Sequence, residues 1–315
     1  MTEKLAKDEQ KPPMWARVRV PASTSNLGPG FDCLGLALAI YNTFTIQPHD
    51  DVVVDVAYKG WAPENGQMVN GGKTNMVWRA ACEVARVAGR KLKGMRIAME
   101  LCAPLERGLG SSATAIIAGA VGANVQLGAP LSDDDLLKLI IGFEGHPDNI
   151  TASFYGGLTV SMLHRRTPYV ARHKVASNIR AVLAIPGYPL STEKARAALP
   201  AEVQLTDAVH NLTRVPFVVH ALKTGDLKCL AISMEDKLHE PYRLALIRNS
   251  RAIRKAALSA GAAGVAISGA GPSLVAIATD QDAPAVAEAM QRQMKKGMVQ
   301  IARIDRNGIR VMTRR

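Results

Sequence analysis

The stretch Pro104-Leu105-Glu106-Arg107-Gly108-Leu109-Gly110-Ser111-Ser112-Ala113-Thr114 joins an apolar strand-like run to a helix of small residues. Its two glycines let a backbone approach a ligand closely. The N–H groups at a helix start have no intrahelical partner, and with the helix dipole they make an anion site out of main chain. Ser111 and Ser112 add hydroxyls that can donate to an oxyanion or ligate a hard cation. Two other readings compete. Gly108-Leu109-Gly110-Ser111-Ser112-Ala113 fits the dinucleotide fingerprint, which requires a further strand ending in an acid about 20 residues on. Here Leu127–Pro130 and another helix follow instead. The plainer alternative is a tight turn whose glycines serve packing. Nearby, Gly71-Gly72-Lys73-Thr74 imitates a P-loop, but the glycine required five positions before Gly72 is Gln67, and the segment follows a polar loop.

The elements that must hold this loop read as mixed helix and strand. Strand patterns cover Ala16–Ala22, Val52–Tyr58, Met95–Cys102, Leu158–Leu163, Arg180–Ile185, Gly264–Ser268 and Ser273–Ala278. Helical patterns cover Asn75–Ala88, Ser111–Gln126, Asp133–Phe143, Thr192–Leu199, Ala208–Lys223 and Leu246–Ala260. Ser132 before three aspartates is a helix start, since a hydroxyl cap and first-turn acids suit the positive helix end. The polar, basic run His164–Ser177 reads as the junction between two lobes, giving domains at 14–170 and 171–315 behind a disordered tail at 1–13.

Composition narrows the class. A chain of 315 residues with 48 % apolar content can build two cores, and 4 % aromatics leaves Val, Leu, Ile, Ala and Met to fill them. No apolar run approaches the roughly 20 residues of a membrane span. The charged first residues are unlike a signal peptide, so a cytoplasmic protein is expected. Cys33, Cys82, Cys102 and Cys229 are scattered without ligand spacing and read as small buried side chains. The net charge of +12 is dispersed, and its densest cluster, Arg90–Arg96, lacks a stacking aromatic; this favours small anions over nucleic acid.

The phosphate-type segment resembles the central motif of the GHMP kinases, and it has company. Pro21-Ala22-Ser23-Thr24-Ser25-Asn26-Leu27-Gly28-Pro29-Gly30-Phe31-Asp32 is similar to that family's N-terminal motif in the form carried by its homoserine kinase branch, and Ser268-Gly269-Ala270-Gly271-Pro272-Ser273 to its C-terminal glycine-rich motif. Glu144–Asn149, Ser191–Pro200 and His239–Arg243 point to the same branch, whereas the lysine of mevalonate kinases and the Arg…Glu-His of galactokinases are missing. The resemblance implies an α+β, two-lobed GHMP kinase fold: an N-terminal nucleotide lobe with a left-handed βαβ crossover and a ferredoxin-like C-terminal lobe. It also implies ATP and Mg²⁺, L-homoserine as substrate, threonine biosynthesis and, often, a homodimer.

Residue by residue, the resemblance makes Pro104–Thr114 the ATP segment and Ser112 and Glu144 the Mg²⁺ ligands. A substrate that is a zwitterion with a hydroxyl needs a cation clamp, an anion and a polar group at the hydroxyl. Arg196 and Arg243 suit its carboxylate, because guanidinium meets carboxylate in a two-bond fork. Asp32 suits the ammonium. Asn26, His146, Asp148 and Asn149 suit the hydroxyl end, with Thr192 at the transferring phosphate. Asp148 is expected to orient the hydroxyl more than to remove its proton. Each has a structural alternative: helix caps at Ser112, Asp148 and Thr192, an exposed helix-end carboxylate at Glu144, a surface pair with Glu193 for Arg196, and turn or backbone roles for Asp32, Arg243, Asn26 and Asn149. A transition-metal site at Glu144, His146 and Asp148 is disfavoured, since glycine and proline make that run a turn. Glu106 stands where relatives carry a small residue and is expected to face solvent or pair with Arg107. The alternatives to the homoserine reading are a GHMP kinase for another alcohol and a silent nucleotide-binding regulator.

Overall fold

The structure, a computed structural model, describes residues 15–62 and 69–314; the tail at 1–13 and Gln67 lie outside them. Trp15–Asn26 (β1) alternates Ala16, Val18 and Val20 into the core and pairs antiparallel with Gly30–His49 (β2). Val52–Tyr58 (β3) leads through a 3-10 turn at Gly72–Thr74 and the helix Met76–Val87 (α1) to Gly94–Leu101 (β4), which pairs parallel with β3 and antiparallel with β2. The helix that follows, Ser111–Gln126 (α2), is buried almost all round. Its small residues allow this: a Cβ on Gly119 would lie 2.2 Å from the Val77 carbonyl oxygen, so α1 and α2 touch backbone to backbone.

Asp133–Glu144 (α3) starts as expected, with Ser132 Oγ accepting from the Asp135 N–H. Asp148–Tyr155 (α4) follows after a turn, then Leu158–His164 (β5) and Thr167–His173 (β6). The run read as a polar junction is thus largely a hairpin, whose second strand puts polar groups out and apolar ones partly in. In the second lobe, Ile179–Pro186 (β7) leads to Thr192–Ala197 (α5), Leu205–Thr224 (α6), Leu227–Ser233 (α7), Glu240–Arg243 (α8) and Ser250–Ser259 (α9). Gly264–Ile267 (β8), Leu274–Thr279 (β9), Ala283–Arg292 (α10) and Gly297–Arg303 (β10) complete an antiparallel sheet of order β10-β7-β9-β8. That order, with helices after its first and third strands, is the ferredoxin-like arrangement.

Arg310–Arg314 (β11) then returns to pair with β1, so the chain's end completes the first sheet, β11-β1-β2-β4-β3 with β5 and β6 beside β2. Residues 170 and 171 fall within β6. On sheet membership we propose lobes at 15–173 plus 310–314 and at 174–309. Leu27, Leu34, Leu36 and Leu38 share one core with Ile179, Leu183, Val218 and Leu222, which binds the lobes through apolar contact. The four cysteines are free and only partly buried, packed at the core margins instead of inside it.

Candidate active site

The N-terminus of α2 opens on a cleft between the lobes. Gly110 precedes the helix at φ +66°, no side chain caps it, and no acidic residue occupies the first turn. The free N–H groups are therefore available to an anion. Ser111 Oγ is buried there without a hydrogen-bond partner among the described residues, as expected of a donor awaiting a ligand. A Cβ on Gly110 would lie 2.3 Å from Ser23 Oγ, and one on Gly108 2.0 Å from the Ser268 carbonyl oxygen. Close approach, then, is what both glycines supply.

Those clashes reveal how the loop is held. Leu109 accepts from the Ser23 N–H (3.1 Å) and Gly269 donates to the Ser25 carbonyl (3.2 Å). Ser268 Oγ donates to the Gly108 carbonyl (2.6 Å) and meets Thr24 Oγ1 at 2.8 Å. Three sequence segments, around residues 23–32, 104–114 and 268–273, converge on one point. They line a cleft of ≈ 260 Å³ with Glu144, His146, Asp148, Asn149, Thr192, Arg196 and Arg243. A second cavity of ≈ 490 Å³ shares Glu106, Ser111 and Ser112 with it and is otherwise mainly apolar, with Phe44, Val69, Met76, Met99, Leu101 and Leu105 in its wall. The first suits phosphates and a small polar molecule, the second an aromatic base.

Most of the competing roles can be decided from contacts. Ser112 Oγ caps nothing and donates to Glu144 Oε1 at 2.6 Å. Two adjacent hard oxygens facing a phosphate site fit Mg²⁺, which takes few protein ligands. Arg196 ignores Glu193 and grips both oxygens of Asp32 (2.8 and 3.0 Å). Asp32 thereby sits behind Arg196 and outside the cleft lining. Ser191, not Thr192, caps α5, which leaves Thr192 exposed at the cleft. Asn149 bonds Ser23 Oγ and Ser25 Oγ, both at 2.9 Å, in a hydroxyl network that Ser153 extends. His146 lines the cleft half-buried.

Asn26 lines the cleft with its amide engaged. Its Oδ1 accepts from the Asp32 N–H (3.1 Å) and its Nδ2 donates to the Gly269 carbonyl (2.8 Å), so its amide braces two loops. Arg107 lines the cleft too and is buried, donating to the carbonyls of Pro186 (2.8 Å) and Leu105 (3.0 Å). Glu106 is exposed on the rim between the cavities, at φ +52°. Asp148 opens α4 with Oδ1 accepting the Asn149 N–H at 2.6 Å. Burial raises its carboxyl above the ordinary aspartate value, partly offset by that hydrogen bond. Arg243, buried, donates to the Ala195 carbonyl at 3.1 Å; burial and then the nearby Arg196 lower its value.

The sequence reading missed Ser23 and Ser25 as site members, though both sit in a motif it singled out. It also missed the backbone of Gly269, Ala270 and Gly271, which lines the cleft. Their signal was the glycine density of the segment.

Comparison with known proteins agrees with this geometry. The family model for the GHMP kinases N terminal domain matches residues 75–157, and that for GHMP kinases C terminal matches 218–296. A homoserine kinase of Synechococcus sp. (strain WH7803) is 44% identical over 278 residues, 87% of each chain, and that of strain CC9311 is 45% identical over 276 residues. A crystal structure of homoserine kinase from Cytophaga hutchinsonii superposes with TM-score 0.83 at 28% identity, covering 98% of this chain and all of that one. L. major mevalonate kinase in complex with R-mevalonate shares the fold at TM-score 0.69 and 18% identity.

Proposed function

The chain belongs to the GHMP kinases, a family of ATP-dependent enzymes, and from that premise we propose that it transfers the γ-phosphate of ATP to the side-chain hydroxyl of L-homoserine. The products are ADP and O-phospho-L-homoserine, the step of threonine biosynthesis that the relatives' name implies. The observation that carries the reading is the convergence of three distant segments on one cleft, with an anion site at the α2 N-terminus and Arg196 and Arg243 in the same lining.

Phosphoryl transfer asks the protein for positioning and charge neutralisation. The α2 N-terminus, Gly108 and Gly110 receive the phosphates, and Ser111 adds a donor. The base lies in the apolar cavity beside Leu105. Ser112 and Glu144 would hold Mg²⁺, which neutralises charge on the phosphate oxygens when bound. Arg196 and Arg243 take the carboxylate of homoserine, and Asp32, outside the lining, holds Arg196 in place. Asn26 lines the cleft and positions Asp32 and Gly269 through its amide. Asp148, with Asn149 and His146, orients the hydroxyl; a loose transition state demands little of a base. Thr192 stands near the transferring group. The setting is cytoplasmic; among the described residues no helix is long and apolar enough to cross a membrane.

Coupled ADP release with MgATP tests this against homoserine, serine, threonine, mevalonate and galactose. Turnover with homoserine and not with the others is expected. Turnover with another alcohol in its place would overturn the substrate, and ATP binding without any turnover would overturn the activity.

A further inference from the structure

Phe31 is the second residue of β2, next to Asp32, and is partly buried. The guanidinium carbons of Arg243 and Arg196 lie 5.0 and 5.6 Å from its ring centroid. The His239 imidazole stacks on the same ring, centroids 5.2 Å apart and planes 26° from parallel. Two cations held this close repel; among the described residues Arg196 pairs with the Asp32 carboxylate, whereas Arg243 donates to the carbonyls of Ala195 and Gly269. An aromatic face attracts both cations without bringing a negative charge that would compete with a ligand. A carboxylate in its place would bind the arginines itself and shut a substrate carboxylate out.

The ring is also held from behind. His239 Nε2 bonds the Gly28 carbonyl at 2.9 Å, and the buried Asp236 accepts the N–H groups of His239 (2.9 Å) and Glu240 (2.7 Å). Asn211 Nδ2 donates to the Pro29 carbonyl at 3.1 Å and to Asp236 Oδ1 at 2.6 Å. The loop that carries Phe31 belongs to the first lobe but is moored to the second, where both arginines reside.

We propose that Phe31 is a positioning residue: its ring sets the spacing of Arg196 and Arg243 and thereby tunes recognition of the substrate's carboxylate, a role that rests on the homoserine reading above. Phe31→Leu removes the ring at similar volume, and Phe31→Tyr keeps it. The assay compares homoserine with 3-aminopropan-1-ol, which is homoserine without its carboxylate, used as a competitor so that its inhibition constant is read whether or not it is phosphorylated.

Phe31→Leu is expected to raise KM for homoserine about tenfold, the scale of two cation–π contacts. KM for ATP and the inhibition constant of the amino alcohol stay at their wild-type values, and Phe31→Tyr restores homoserine binding. Phe31→Met takes the place of Phe31→Leu should the latter not fold. Equal losses for both ligands, a parallel rise in KM for ATP, or an unchanged KM for homoserine would overturn the proposal. A wild-type enzyme active on another acceptor but not on homoserine would overturn the substrate reading, and this inference with it.

Discussion

Asp148 is a carboxylate withdrawn from water in the wall of the cleft, and its environment makes two measurements informative. Asp148→Asn is expected to lower kcat only about tenfold, since an orienting group contributes less than the 10²–10⁴ typical of a general base; a larger loss in steady-state kinetics would make it the base. Its raised value also links to stability. The folded chain holds this proton to higher pH than the unfolded chain does, so the contribution is complete below 3.8 and is lost as pH rises through the raised value. The difference in Tm between wild type and Asp148→Asn should therefore move against the wild type as pH increases over that window. Glu106 gives a second residue-scale case. It is exposed and held at φ +52°, where a side chain is strained by about 1–2 kcal/mol. Glu106→Gly should raise Tm modestly and change KM for ATP less than about threefold, because an exposed carboxylate on a rim is well screened. A large gain in ATP affinity would show that it faces the phosphates.

At the scale of elements, the loop before α2 works only if its glycines stay bare. Gly110→Ala brings a methyl against Ser23 Oγ and Asn149 Oδ1 while the backbone sits at φ +66°. ATP binding measured by titration calorimetry should weaken tenfold or more, about 1.4 kcal/mol, with a smaller fall in Tm. What could be read from the sequence here follows physical lines. Helix α2 and strand β3 were read to the residue, because one is a long run of small and apolar residues after a glycine and the other a short bounded apolar run. The twenty residues of β2 were missed: its first half is buried on both sides and shows no alternation, while Gly35 admits the Asp148 backbone. The edge strands β6 and β11 expose most of their side chains, β10 half-buries its own without alternation, and α4 and α7 run to only 8 and 7 residues. Motif and chemistry coincide at Ser112, Glu144 and Arg196, and the fold brings all three to one cleft. Arg107 and Asn26 lie in motifs too, but side-chain direction depends on what folds nearby, and both turned to backbone carbonyls.

At the scale of the molecule, two lobes share an apolar core, an arginine reaching to Pro186, and a sheet that the last residues close. Arg310 adds an ion pair of 2.9 Å with the buried Asp305, whose Oδ2 also accepts from Tyr41 at 2.7 Å. Deleting the chain from residue 310 should cost about 2 kcal/mol or more and lower Tm by roughly 5 °C in thermal unfolding. An unaltered Tm would mean that the strand is dispensable. The pairing of the last strand with the first has a further meaning during synthesis. A ribosome releases β1 long before β11, so β1 keeps an open edge until β11 has left the tunnel. A chain cut short by a premature stop beyond residue 273 would carry all three ligand-binding segments and still lack a closed first sheet. The fold thus registers whether its message was read as far as β11.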